Sequence, residues 1–378
     1  MPTTGTNKNI RVWDGTEITE EGLELGNPAN FDSPLWDDVL DQVSISEMEN
    51  LTLHGYTKTS AVDSIGKPAT RDLDGPNQVG SFASTNNVTT GFPMEVMVAQ
   101  TFNKELAFRL GGALGSDANN NGIKGLYGPS ANIHRSPYYG RNFEYYSEDA
   151  YLSGIMAANT IKGVKNYGVF CYMKHFVLYE AESNRDGMNT WLTEQALREI
   201  YLKPFYLAIN EGGLTGLMTS YGRVGAVWSG GSTALLTGLL TDEWGFKGAV
   251  LTDYSYHHQY MNADHMIQAG GNLFMDSWSN NGSYDFFNSD DAPFVQKLRE
   301  ATKDVVYMFL NAEYTRQNPV ESGNVQPAVT ATPGFPWWIP VLVAVDVVAV
   351  AGCAFWIDWA FFHKKAKKED ESGETKTA

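Results

Sequence analysis

From about Asp32 to Arg316, short apolar runs alternate with amphipathic stretches. Gly125–Tyr127, Val169–Met173, Gly216–Ser220, Ala249–Thr252 and Asn272–Met275 are short and mostly apolar, which predicts buried strands. Between them, Glu194–Glu211 and Ala234–Trp244 carry helical spacing, with a kink expected at Pro204. Strand and helix in steady alternation predict parallel βαβ units. Lys174-His175, Tyr221, Asp253 and Asp276 each follow one of the predicted strands. Ionisable residues gathered at the C-terminal ends of several parallel strands are how a (β/α)8 barrel presents an active site. The expected fold is therefore α/β, a TIM-like barrel, and the pattern alone also admits a doubly wound open sheet. No GxGxxG opens a helix after a strand, so a dinucleotide fold has no support.

The pattern changes at both ends. Residues 1–31 are polar and acidic and lack the basic and apolar stretches of a secretory signal. Residues 317–336 read as a linker, because Pro319–Pro336 holds four prolines among Gly, Ser, Thr and Asn. Residues 337–362 read as one transmembrane helix. Its first 21 residues, Trp337 to Ile357, contain a single charge, Asp346, and about 20 apolar residues span a bilayer core. Trp337, Trp338, Trp356 and Trp359 fall where interfacial aromatics belong. Residues 363–378 form a charged tail that opens with Lys364, Lys365, Lys367 and Lys368.

Composition narrows the function classes. A 43% hydrophobic fraction and ten Trp in 378 residues exclude wholesale disorder. The net charge of −17 disfavours a nucleic-acid partner, and most of that acidity lies before Pro319. Two cysteines, Cys171 and Cys353, exclude a disulfide framework and a zinc site built on CxxC pairs. His257, His258 and His265 follow Asp253 on one predicted helix, but only His258 and His265 share a face, so no metal or other cofactor is expected.

Several segments match a known pattern. Lys174-His175-Phe176, Glu182, Arg185 and the run Thr193–Phe205 resemble glycoside hydrolase family 3. So do Met218-Thr219-Ser220-Tyr221, Asp242–Gly248 and Leu251-Thr252-Asp253-Tyr254. Upstream, Asp74-Gly75-Pro76, Phe92-Pro93 and Ser136–Glu144 fall in the family's order. The resemblance covers roughly Trp36 to Leu310 and assigns residues 32–316 to the family's barrel domain. The acetylhexosaminidase branch is disfavoured, because Lys174-His175-Phe176 continues as Val177-Leu178-Tyr179 rather than Pro-Gly-His-Gly.

The resemblance implies a β-glucosidase-like exo-glycosidase, acting on a β-linked glucoside or oligosaccharide with retention. Asp253 matches the nucleophile, which must be an ionised carboxylate able to form a glycosyl–enzyme intermediate. Read alone, Asp253 could equally cap the following helix. Asp74 matches the family's acceptor for two sugar hydroxyls. Arg141, Lys174 and His175 match its cationic donors, and Met218 and Tyr221 the wall beside the nucleophile. Glu182 and Arg185 read as a structural ion pair. Tyr254 stands where many members have Trp.

Retention also needs a general acid about 5–5.5 Å from the nucleophile. In β-glucosidase-like members it comes from a second, sandwich domain, and no glutamate in this sequence stands out for the role. The expectation is a barrel of the type with reversed domain order, its acid supplied by a missing sandwich domain or by one on a separate partner chain. Two alternatives are a catalytically silent sugar-binding barrel and a membrane-tethered partner subunit. The lysines after the span place the tail in the cytoplasm and the barrel outside a cell membrane crossed once. Export would then need a signal on an upstream segment. Late insertion as a tail anchor would instead leave the barrel inside.

Overall fold

The computed structural model describes residues 9–80, 89–255, 260–276, 291–321 and 338–359. The chain forms two compact units, Met1–Asn324 and Val325–Ala378. In the first, the strands are β1 (Asp72–Asp74), β2 (Gly125–Tyr127), β3 (Phe170–Cys171), β4 (Met173–Phe176), β5 (Asn189–Thr190), β6 (Gly216–Thr219), β7 (Arg223–Val224), β8 (Val227–Trp228) and β9 (Ala249–Leu251). β1–β2–β3 and β4–β6–β9 are parallel sheets, and the crossovers carry helices Glu95–Gln100 and Lys104–Asn120, then Ala150–Lys165, then the helical stretch that ends in Lys203–Gly212, then Ala234–Glu243. A parallel bridge joins Leu251 to Leu273. Phe274 N–H donates to Thr52 O, Gly55 N–H to Phe274 O and Asp72 N–H to Thr57 O, at 2.8–2.9 Å.

Side-chain alternation explains why both faces of these strands are apolar. Leu126, Cys171, Leu217 and Val250 share one cluster with Leu114, Ile161 and Phe205 of the crossover helices. Their chain neighbours Tyr127, Tyr172, Met218 and Leu251 point into a second cluster with Val305 and Phe309. Helices 104–120 and 150–165 lie backbone to backbone, since a Cβ on Gly111 would strike the Thr160 carbonyl and one on Gly163 the Phe108 carbonyl. Asn103 and Asp149 cap these two helices, accepting from Leu106 N–H at 3.1 Å and Leu152 N–H at 2.7 Å.

The structure corrects several expected details. The strand expected over Val169–Met173 is broken at Tyr172, so Lys174 and His175 lie within β4 rather than beyond its end. Lys174 N–H donates to Pro129 O at 3.0 Å and its carbonyl accepts from Ala131 N–H at 2.9 Å, an isolated parallel bridge to Ser130 that the sequence did not signal. Asn272–Met275 makes a single bridge rather than a strand. The Pro204 kink takes the form of wide π turns over Leu197–Tyr201, because proline supplies no N–H and its ring crowds the carbonyl four residues back. Ala234–Glu243 is also a π-helix. The stretch read as a polar preface is packed into this unit from Ile10 on. Ile10, Val12, Ile18 and Leu25 are buried, and helix Glu20–Gly26 lies against the long helix Ala292–Gln317.

In the second unit, helix Trp338–Asp358 is long and apolar enough to cross a membrane, with a mean hydropathy of 2.2 over Pro340–Asp358. Most of the linker and all of the lysine-rich tail lie outside the described residues.

Candidate active site

A cavity of about 750 Å³ opens at the C-terminal ends of the parallel strands. Asp74, Arg141, Lys174, His175, Met218, Tyr221 and Asp253 all line it, although they are spread over 180 positions of sequence. Asp276 does not.

A chain of alternating charge crosses the floor. Asp74 ends β1, and its Oδ1 lies 3.5 Å from Lys174 Nζ. The same ammonium is 3.6 Å from Glu144 Oε2. Glu144 Oε1 accepts from Arg141 Nε, and Ser130 Oγ donates to Glu144 Oε2 at 3.2 Å. Burial alone would raise the Glu144 carboxyl, but Lys174 and Arg141 outweigh it and hold the group below its usual range. Arg141 Nη2 in turn reaches His175 Nε2 at 3.2 Å, and that nitrogen is 3.7 Å from Asp253 Oδ2.

Asp253 follows β9. Its Oδ1 accepts from the Tyr254 N–H at 2.8 Å, while Oδ2 is buried without a hydrogen-bond partner among the described residues. Desolvation pushes its pKa up to about 6, against the pull of Arg141, the Tyr254 N–H, Lys174 and Arg185. A carboxylate in this setting is ionised at neutral pH and keeps one oxygen uncommitted. That suits a nucleophile. The helix that follows, Ala263–Ala269, is capped by Asn262, whose Oδ1 accepts from the His265 N–H at 3.0 Å, so Asp253 does not serve as its cap.

Glu182 and Arg185 form the expected ion pair at 2.6 Å, yet both also line the cavity. Tyr179 OH donates to Glu182 Oε2 at 2.7 Å and accepts from Arg185 Nη1 at 3.0 Å. The Arg185 guanidinium lies 4.4 Å from the Tyr221 ring centroid, close enough for a cation–π contact. Tyr56 and Tyr254, rings 5.5 Å apart, form an aromatic wall. Sequence reasoning missed Glu144, Tyr145 and Tyr179. For Glu144 a signal existed, an acid three residues after Arg141, whereas the tyrosines carry none. Among the described residues no cluster could hold a metal ion. His265 is described, but His257 and His258 lie outside the described residues.

Fold and site together define a parallel α/β protein with its ionisable cluster at the C-terminal ends of the strands. Residues 56–304 match the model of the glycosyl hydrolase family 3 N-terminal domain. The chain is 38% identical over 251 residues to a β-glucosidase of Rhizobium radiobacter, covering 65% of this chain and 30% of that protein. It is 36% identical over 230 residues to β-glucosidase B of Emericella nidulans, covering 60% and 27%. β-Glucosidase 3B of Thermotoga neapolitana, solved with α-D-glucose, superposes with a TM-score of 0.66 at 29% identity, over 76% of this chain and 44% of that one. The chain belongs to glycosyl hydrolase family 3, and its fold is of the TIM-barrel type. It spans less than a third of the length of these two curated relatives.

Proposed function

We propose that this domain hydrolyses terminal β-linked glucosides with retention, using Asp253 as nucleophile. The observation that carries the reading is the uncommitted Asp253 Oδ2, held at a strand end within the field of Arg141, Lys174 and Arg185. Asp74 accepts from sugar hydroxyls, Lys174 and Arg141 donate to the same ring, and Met218 and Tyr221 face its apolar side, while His175, expected as a cationic donor, is neutral and engaged by Arg141 and Tyr145. Charge-assisted hydrogen bonds of this kind fix a polyhydroxylated ring. The β-glucosidase relatives support glucose as the glycone. The experiment is hydrolysis of an aryl β-glucoside with a good leaving group. Turnover that vanishes in Asp253→Gly supports the proposal, and near-normal turnover overturns it.

The general acid comes from outside the described residues. Among the described residues, the other carboxylates lining the cavity are Asp74, Glu144 and Glu182, and each already faces a cation. The greater length of the relatives supports a further domain, on this polypeptide or a second one, as its source. The same observation favours a second reading, a barrel that binds sugar without turning it over. Glucose binding by calorimetry with no release of an activated phenol would select it.

The sheet closes into a barrel through residues 52–57. The bonds from Gly55 to Phe274 and from Asp72 to Thr57 support this closure. Helix Trp338–Asp358 crosses a cell membrane with the lysine-rich tail in the cytoplasm and the barrel outside. Protease added to intact cells should remove the barrel and spare a tag after Ala378. A fully protected barrel overturns this orientation.

A further inference from the structure

A second cavity, of about 390 Å³, is lined in part by Arg135, Glu180, Thr190, Trp191 and Tyr201. It is built from the same loop as the catalytic cavity. Glu182 and Arg185 face one cavity, and Glu180 and Trp191 face the other.

Trp191 follows β5, which pairs with β7 of the β7–β8 hairpin. Gly225 turns that hairpin at φ +61°, and its N–H donates to Thr190 O at 2.8 Å. A Cβ on Gly225 would meet the Trp191 ring at 3.3 Å, so the indole rests against the bare glycine. Trp191 is nevertheless 77% exposed. It is thus a supported apolar plate open to water. Beside it, Glu180 accepts from Asn132 Nδ2 at 3.4 Å, and burial pushes its carboxyl up to about 7. Near neutrality such a group both donates to and accepts from hydroxyls. Arg135 adds charged donors, held against the Tyr201 hydroxyl and 5.7 Å from that ring's centroid.

An exposed aromatic face next to a carboxyl and a guanidinium matches the chemistry of a pyranose, whose C–H face is apolar and whose rim is all hydroxyl. We propose that this cavity is a second carbohydrate site, separate from the catalytic one, which holds a glucosyl unit of a β-glucan chain on Trp191. The proposal rests on the sugar-processing reading of the protein for its ligand class, but not on Asp253 or on turnover.

The test is affinity electrophoresis of the full chain through gels containing soluble mixed-linkage β-glucan, with calorimetry against cellohexaose. Wild-type protein should be retarded, and it should remain retarded with the catalytic cavity filled by glucose. Trp191→Ala should bind cellohexaose at least tenfold more weakly, Glu180→Gln severalfold more weakly, and both should cleave an aryl glucoside as wild type does. Unretarded wild-type protein, or equal retardation of Trp191→Ala, overturns the proposal. So does a Trp191→Ala variant whose only change is oligomeric state, which would make the indole a protein contact. Failure of aryl glucoside cleavage alone would count against the catalytic reading and leave the gel result decisive for this one.

Discussion

His175 Nε2 stands 3.7 Å from Asp253 Oδ2 without forming an ion pair with it. Burial, helped by Arg141, Lys174 and Arg185, holds the imidazole well below its usual range, so the ring is neutral. Arginine has only donors, so Nε2 accepts from Arg141 and Nδ1 carries the proton, which it donates to the Tyr145 hydroxyl at 3.2 Å. Asp253 is therefore balanced by cations at a distance rather than quenched by one in contact. This is the environment that the proposed nucleophile requires.

Holding that charge costs stability. The folded pKa of Asp253, about 6, lies above the ordinary carboxylate value of 3.8. Between these values the folded state binds more protons than the unfolded one, so stability falls as pH rises through this window. At about 1.4 kcal/mol per pH unit, the full cost above pH 6 is on the order of 3 kcal/mol. Asp253→Asn keeps the acceptor for the Tyr254 N–H and removes the charge. It should unfold at higher denaturant than wild type at pH 7.5, with the gain disappearing near pH 4. A variant less stable than wild type at pH 7.5 would contradict the assigned environment.

Glu144 tunes the same group from across the floor. Its charge offsets Lys174 and Arg141, the cations that favour ionised Asp253. Glu144→Gln should release them, moving the acid limb of kcat/KM for an activated aryl glucoside downward. One charge several ångströms away in a partly buried site shifts such a limb by about one pH unit. An upward shift, or none, would show that Glu144 serves only to hold Arg141 in place.

Asp74 lies at the other end of the chain of charges. Asp74→Ala should weaken glucose binding by about 1.5–3 kcal/mol, the range for a lost charge-assisted hydrogen bond. Calorimetry on the Asp253→Asn background reads this without turnover. Unchanged affinity would reduce Asp74 to a turn residue that happens to face Lys174.

The strand–helix alternation was legible because each βα unit is encoded locally, in runs such as Ala249–Leu251 whose two faces meet two different cores. Asp74, Lys174 and Asp253 were legible through their motifs, each a short contiguous string. What stayed hidden is carried by partners far apart in sequence. β4 pairs with residues near Pro129 that look like loop. Tyr56 and Thr57 reach the cavity only because residues 52–57 lie beside Phe274 and Asp72. The packing of Ile10 and Val12 was masked by the polar residues around them, since a few buried side chains suffice to anchor a polar segment.

The central claim is that Asp253 is the atom source for a covalent glycosyl–enzyme bond. A 2,4-dinitrophenyl 2-deoxy-2-fluoro-β-glucoside tests it most directly, because the leaving group needs no general acid and the fluorine slows release of the trapped sugar. Intact-protein mass spectrometry should show one added fluoroglucosyl group per chain. Peptide mapping should place it on Asp253, and Asp253→Asn should show no adduct. An adduct on another carboxylate, or none from a protein that binds glucose, would contradict the account.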